Sequence, residues 1–462
     1  HKLHNATQHN TTQQHRPLTM TDTPNFPLLD AREQPILDSL QRIRDELTLL
    51  KQDRTTYVKS SDVMPLYEKV VDQVRLLNEL RADKPEEHSQ SQSQVDRVLD
   101  GCFQLLSLFF MTIGRNNEAP AAYALTSTIR RLLDHLTEVD LYSEKDLAHL
   151  SHTLARLREI VKQAGGTYSP KLITLLSNRI EACQGLLTNL QARLARLGGD
   201  LPTIHERLIT ILRSISLANT KAKFSTKEVQ NLQEQVKEVD SLRVDGKFVA
   251  ASGEVPAGNE DVVGLLEKCL LWSEVVLTRK GEMPEAFRAK YQTLVDIRNK
   301  LEKLSLTQAW SLRETDLYDY QRQLDRIDES RIDGNFVDAE GNFAELYVQR
   351  TLLYLIRRSY GYIYYLMVSS EPVSEALLPV YNQLQTLRRC LIEVKNSGGV
   401  SSPRELYPYS MKLNSLDNMR VDGKFMVGND IPEGQGSVID LLSECFDLNY
   451  ELRVAAESET ED

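Results

Sequence analysis

Three heptapeptides nearly coincide along the chain: Arg243-Val-Asp-Gly-Lys-Phe-Val249, Arg331-Ile-Asp-Gly-Asn-Phe-Val337 and Arg420-Val-Asp-Gly-Lys-Phe-Met426, set 88 and 89 residues apart. A period this long marks a duplicated supersecondary unit whose copies stack to bury a continuous core. Other marks share the period. Pro35, Pro120, Pro202, Pro284 and Pro372 each open an amphipathic stretch, at intervals of 85, 82, 82 and 88 residues. Proline is tolerated there because the first helical turn has unpaired N–H groups. Cys102, Cys183, Cys269 and Cys445 keep one register, 81, 86 and twice 88 residues apart. Ser-x-x-Asp/Glu pairs starting at Ser143, Ser225, Ser311 and Ser402 read as capping boxes.

These marks predict an all-α fold of tandem three-helix repeats, about 80–90 residues each. First helices should begin near Ser61, Ser143, Ser225, Ser311 and Ser402. Second helices should occupy 95–114, 170–195, 260–279, 342–368 and 436–453, and third helices 35–51, 120–138, 202–217, 284–304 and 372–395. The chain then reads as a leader or unstructured arm over 1–19, one helical domain over 20–456, and an acidic tail over 457–462. Inside the domain a lone third helix (35–51) precedes units 58–139, 140–220, 221–306 and 307–397 and a partial unit 398–455. Ile36, Leu40, Ile43, Leu47 and Leu50 form a narrow stripe that suits a cap with one packed face. That stripe favours an open curved array, with a closed ring as the alternative. The stretch from Leu352 to Met367 is apolar or aromatic nearly all round and should be central. The segment Glu86–Gln94 is low in complexity and expected to be mobile.

Charge and composition narrow the function. With 55 basic against 66 acidic residues the net charge is -11, which argues against a nucleic-acid partner, since phosphate-backbone affinity rests on clustered Lys and Arg. No run of about 18 apolar residues exists to span a membrane. Histidine is absent beyond His205, which removes the commonest general base from more than half the chain. No Gly-rich phosphate loop, nucleophile elbow or zinc-protease signature occurs, so no catalytic residue, metal or cofactor is assigned.

The repeated Arg-Val/Ile-Asp-Gly-Lys/Asn-Phe motifs, the helical spacing and the acidic tail resemble a fungal all-helical family defined by a domain of unknown function (DUF2408, UPF0662-like proteins). The likeness runs from Met20 to the C-terminus. It implies a fungal protein of the cytoplasm, and of the nucleus as well, with no established enzymatic activity and no functional residues to carry over.

Two groups of residues are the binding candidates. Arg243, Arg331 and Arg420, with Lys247 and Lys424, could line guanidinium and ammonium groups beside turn N–H groups, an acceptor for phosphate or an acidic peptide. The simpler reading makes Asp-Gly a turn, pairs Arg with Asp and plugs the core with Phe. Asn335 stands where the other copies carry lysine and weakens the charge argument. The second group is Arg357, Arg358 and Tyr364 in a dense Tyr/Arg stretch, residue types that dominate binding hot spots. The cysteines read as buried thiols of a reduced chain rather than ligands or disulfides. His149 and His152 share a helical face without a third ligand nearby. Ser458 and Thr460, each followed by an acid, are candidate phosphorylation sites. The function expected from all this is a non-enzymatic helical scaffold or adaptor for a protein partner. A phosphopeptide or inositol-phosphate module using the repeated loops is the alternative.

Overall fold

The computed structural model describes residues 30–83, 93–308 and 311–460. The fold is all-α. Its helices are α1 (Gln34–Gln52), α2 (Ser60–Arg81), α3 (Gln94–Thr112), α4 (Ala122–Val139), α5 (Glu144–Gln163), α6 (Pro170–Ala195), α7 (Leu201–Asn219), α8 (Thr226–Asp240), α9 (Asn259–Arg279), α10 (Glu285–Lys303), α11 (Leu317–Glu329), α12 (Leu346–Val368), α13 (Leu378–Asn396), α14 (Tyr407–Asp417) and α15 (Gln435–Thr460). The leader expected over 1–19 and most of the low-complexity segment lie outside the described residues.

The helices group in consecutive threes, and the last of each three packs on the other two: α3 on α1 and α2, α6 on α4 and α5, α9 on α7 and α8, α12 on α10 and α11, α15 on α13 and α14. The opening helix therefore finds both partners directly after it. In α1 the residues Ile36, Leu40, Ile43 and Leu47 are buried, as the 3.6-residue period requires. The cysteine register marks the seam inside each triplet. Cys102, Cys183, Cys269 and Cys445 are buried free thiols whose Sγ atoms lie 3.6, 3.8, 3.7 and 3.4 Å from the carbonyls of Leu40, Thr126, Leu208 and Leu384. Each carbonyl belongs to the first helix of the same triplet, so a small side chain is needed where the backbones approach. In the fourth triplet the buried Ser359 fills that place, ten residues after Gln349 as Cys269 follows Asn259 and Cys445 follows Gln435.

The triplets are not strung so that each meets only its chain neighbours. Helix α12 also packs on α4 and α7, and α11 packs on α3. The open curved array expected from the stripe on α1 is departed from here, because the largely apolar α12 buries its surface against two other triplets, the second and the third. The first four triplets share one core, from Ile36 to Met367. The fifth has its own, from Val373 to Leu452.

Several boundaries differ from the sequence expectation. Pro372 lies in the connection before α13, and Pro379 takes the first-turn position that proline favours. Ser143 and Asp146 form the expected capping box, and Ser93 and Asp96 form another. Ser402 instead accepts from the Arg404 N–H, and Glu314 turns inward to the hydroxyls of Thr112 and Ser370, 3.2 and 2.8 Å away. Helix α15 continues through Thr460, so Glu457–Thr460 is helical rather than a tail; Ala455 and Ala456, strong helix formers, carry it on.

The fifth triplet is fastened through the connection after α12. Ser374 N–H donates to the Glu433 carbonyl and Glu375 N–H to the Thr112 carbonyl, both at 3.0 Å. The Glu375 carboxylate also accepts from the Val58 N–H at 2.7 Å, and Tyr57 donates to Asp430 at 2.7 Å. Gly114 is required at this junction: its φ is +88°, and a Cβ there would lie 2.6 Å from the Ser374 nitrogen.

Candidate functional site

The three repeated loops are tight hairpins. Asp245, Asp333 and Asp422 have φ of 52, 50 and 52°, and the glycines that follow have φ of 77, 78 and 79°. Two left-handed residues in succession make the primed turn that Asp-Gly favours. The arginines do not bond the aspartate of their own motif. Arg243 Nε donates to Asp240 at 2.7 Å, Arg420 Nε to Asp417 at 2.8 Å and Arg331 Nε to Asp328 at 3.1 Å, each an acid three residues earlier at a helix end. Arg331 also reaches Glu138 of α4 at 2.7 Å. Lys247 and Lys424 are exposed, and Asn335 bonds back to the Asp333 carbonyl.

Each motif phenylalanine is buried and held by an amide side chain from the start of the next helix. The N–H groups of Phe248, Phe336 and Phe425 donate to Asn259, Gln349 and Gln435 at 2.8, 2.7 and 2.8 Å. Gln349 and Gln435 return their own N–H to the carbonyl of the same phenylalanine. The Asp-x-x-Arg spacing was available in the sequence as a constant offset. The amide clamp was not, because it falls 11, 13 and 10 residues after the phenylalanine.

The Tyr/Arg stretch of α12 faces two ways. On one side Tyr360 donates to Asp325 at 2.5 Å, within a network of charged groups where Arg131 reaches Asp328 and Glu329, His135 meets Asp328, and Arg322 meets Asp100. Burial alone would raise the Asp328 carboxyl, but His135, Arg331 and Arg131 outweigh it and hold it down at about 2. This network fastens α11 and α12 to α3 and α4.

On the other side α12 faces a cavity of about 840 Å³ walled by α4, α5, α7 and α12. Tyr364, one of the candidates, is buried with its hydroxyl 2.6 Å from both His149 Nδ1 and Thr153 Oγ1, and burial pushes it up to about 12. Arg358 lies over the Tyr362 ring at 4.5 Å and donates to its hydroxyl. Arg357 has no hydrogen bond or ion pair among the described residues, and its Nη1 is shielded from solvent without a partner. Burial and then the like charge of Arg213 lower its guanidinium to about 10, so it stays charged at neutral pH. The cavity thus gathers Arg357, Arg358 and Tyr364, together with Arg213 and Lys145, which the sequence did not single out. The loop arginines are not among its walls.

Similarity to known proteins now adds to this geometry. A family model described as "Protein of unknown function (DUF2408)" matches residues 194–314 and 370–462. A CUB1 family protein of Schizosaccharomyces pombe is 40% identical over 430 residues, covering 91% of this chain and 93% of its own. Cu(2+) suppressing and bleomycin sensitive protein 1 of Saccharomyces cerevisiae is 36% identical, covering 94% of this chain and 92% of its own. The chain belongs to this fungal DUF2408 family. No solved structure matches it. Among the described residues no helix is long and apolar enough to cross a membrane.

Proposed function

We propose that the protein is a non-enzymatic helical scaffold that docks a protein partner on its fifth triplet. The observation that carries this reading is that the triplet, built on its own core, leaves large apolar side chains in water: Tyr407 and Met411 on α14, Tyr450 and Val454 on α15. Each pair is four residues apart and so lies on one helical face. A 2.9 Å bond from Asn449 to Ser410 ties the two helices beside them. Clustered apolar exposure of this kind marks an interaction surface. The partner on this reading presents a complementary apolar face. Five free thiols, one of them exposed, fit a reducing compartment, the cytoplasm or nucleus. A phospholigand reading of the repeated loops draws less support, since Arg243, Arg331 and Arg420 each already hold a carboxylate.

Cross-linking mass spectrometry on the full chain in fungal extract tests the scaffold reading. Partner cross-links should map to α14 and α15. A variant combining Tyr407→Glu, Met411→Glu and Tyr450→Glu should lose them at unchanged helicity. Retention of every partner by that variant overturns the reading.

A further inference from the structure

We propose that the cavity between α4, α5, α7 and α12 is a binding site for a small organic phosphate, with Arg357 as its anchor. Arginine carries five N–H donors and a permanent charge, and a shielded guanidinium without an acceptor is costly. The more deeply buried arginines of this fold do not tolerate that state. Arg298 bonds the hydroxyl and carbonyl of Thr220 at 2.7 and 2.9 Å, and Arg313 takes the Glu375 carboxylate. Arg357 has nothing comparable.

No side chain of the cavity wall bonds Arg357. Asp146 is the wall's one acid, and its Oδ2 already accepts from Arg213 at 2.5 Å and from the Ser143 N–H at 3.0 Å. Lys145, Arg213, Arg357 and Arg358 leave the wall strongly cationic in a protein whose net charge is -11. An excess of positive charge gathered against the overall balance calls for a multiply charged anion. A phosphate monoester carries about -1.5 to -2 and accepts the fork of a guanidinium.

The repeat supplies an independent argument. Counting two residues back from the small seam residue, Cys102, Cys183, Cys269 and Cys445 give Asp100, Glu181, Glu267 and Ser443, whereas Ser359 gives Arg357. Arginine at this register is therefore no part of the device that builds each triplet. It occurs in the triplet whose outer face is covered by α4 and α7.

The size and lining select the rest of the ligand. At about 840 Å³ the space exceeds what inorganic phosphate fills and lies in the range of small-molecule sites. Leu132, Leu136, Leu150 and Tyr354 offer an apolar wall for an organic group, and the Tyr362 ring, already stacked with Arg358, offers a flat one.

Isothermal titration of the full chain with adenosine monophosphate, glucose 6-phosphate, inorganic phosphate and adenosine tests the site. At least one organic phosphate should bind about tenfold more tightly than inorganic phosphate, and adenosine should not bind. Arg357→Met should weaken that binding by at least about tenfold while the ligand-free protein melts at the same or a higher temperature, because an unpaired charge has been removed. Arg358→Gln, as a second variant, should weaken binding without changing the fold. No binding of either organic phosphate at millimolar concentration overturns the proposal. So does undiminished binding by Arg357→Met, or adenosine binding as well as its monophosphate. The fifth-triplet scaffold reading stands or falls separately, since its variants do not touch this cavity.

Discussion

Arg313 grips Glu375 with two prongs, Nε to one carboxylate oxygen at 2.8 Å and Nη2 to the other at 2.9 Å. The same guanidinium donates to the carbonyls of Asp53 and Thr56, at 2.8 and 3.3 Å. One side chain thus joins the α1–α2 connection of the first triplet, the approach to α11 and the connection leading to α13. It is one of several noncovalent fastenings between the two hydrophobic cores, beside the Tyr57–Asp430 bond and the Arg115–Glu433 ion pair.

Arg313→Met should therefore do more than destabilise. Breaking a buried pair by removing one partner costs about 3–5 kcal/mol. The expected result in urea is a single transition in the parent and two in the variant, with the fifth triplet's core melting first. Limited proteolysis should cut the variant between Ser369 and Leu377. A variant that keeps one transition and resists cleavage there would contradict the role given to this pair.

Glu314 makes stability depend on pH. Burial is the main cause that raises its carboxyl from 4.5 to about 7, Glu375 adds to it, and the hydroxyls of Ser370 and Thr112 oppose it. The folded state then holds a proton that the unfolded chain has released between about pH 4.5 and 7, so this group's contribution falls as pH rises through that window. Glu314→Gln should abolish that part of the slope. Above pH 7 it should be more stable than the parent, on the order of 3 kcal/mol. Urea titrations of both proteins from pH 4.5 to 8 measure the difference, and parallel curves would refute the assignment.

At the loops, Gly246→Ala isolates the cost of backbone conformation. A Cβ there meets nothing within 4 Å, yet φ is +77°. The expected loss is about 1–2 kcal/mol, the left-handed penalty of a side chain. Lys247→Glu and Lys424→Glu, at exposed positions, should change stability by less than about 0.5 kcal/mol. Thermal melts of the three variants check both statements.

Thiol chemistry should separate one cysteine from the rest. Burial pushes Cys102 and Cys269 up to about 12 and Cys183 and Cys445 up to about 11, and all four are out of reach of solvent. Cys390 is exposed. A thiol reagent should label Cys390 at once and the other four only on unfolding. Fast labelling of any buried thiol in the native protein would show that its triplet opens.

The helices were legible because an apolar period and its caps act locally. The second helix of the second unit is an instance: the expected 170–195 coincides with α6. Pro372 misled because a proline signals a first turn without saying which of two nearby prolines makes it, and Pro379 does. The candidate cavity was only half legible. Arg357, Arg358 and Tyr364 stood out as a composition on α12, but their neighbours Lys145 and Arg213 come from helices whose approach depends on packing across triplets. The loop arginines drew attention through repetition, yet repetition also describes their hold on Asp240, Asp328 and Asp417.

The central place of α12 sets an order on how the chain becomes a protein during synthesis. Arg131 of α4 meets Asp328 across 197 residues, and α4 and α7 complete their packing only against α12. At ribosomal rates that separation represents roughly 10–40 seconds during which the nascent second triplet waits with an unfilled flank. A translating ribosome therefore carries a half-built molecule whose sticky side is closed by residues not yet made.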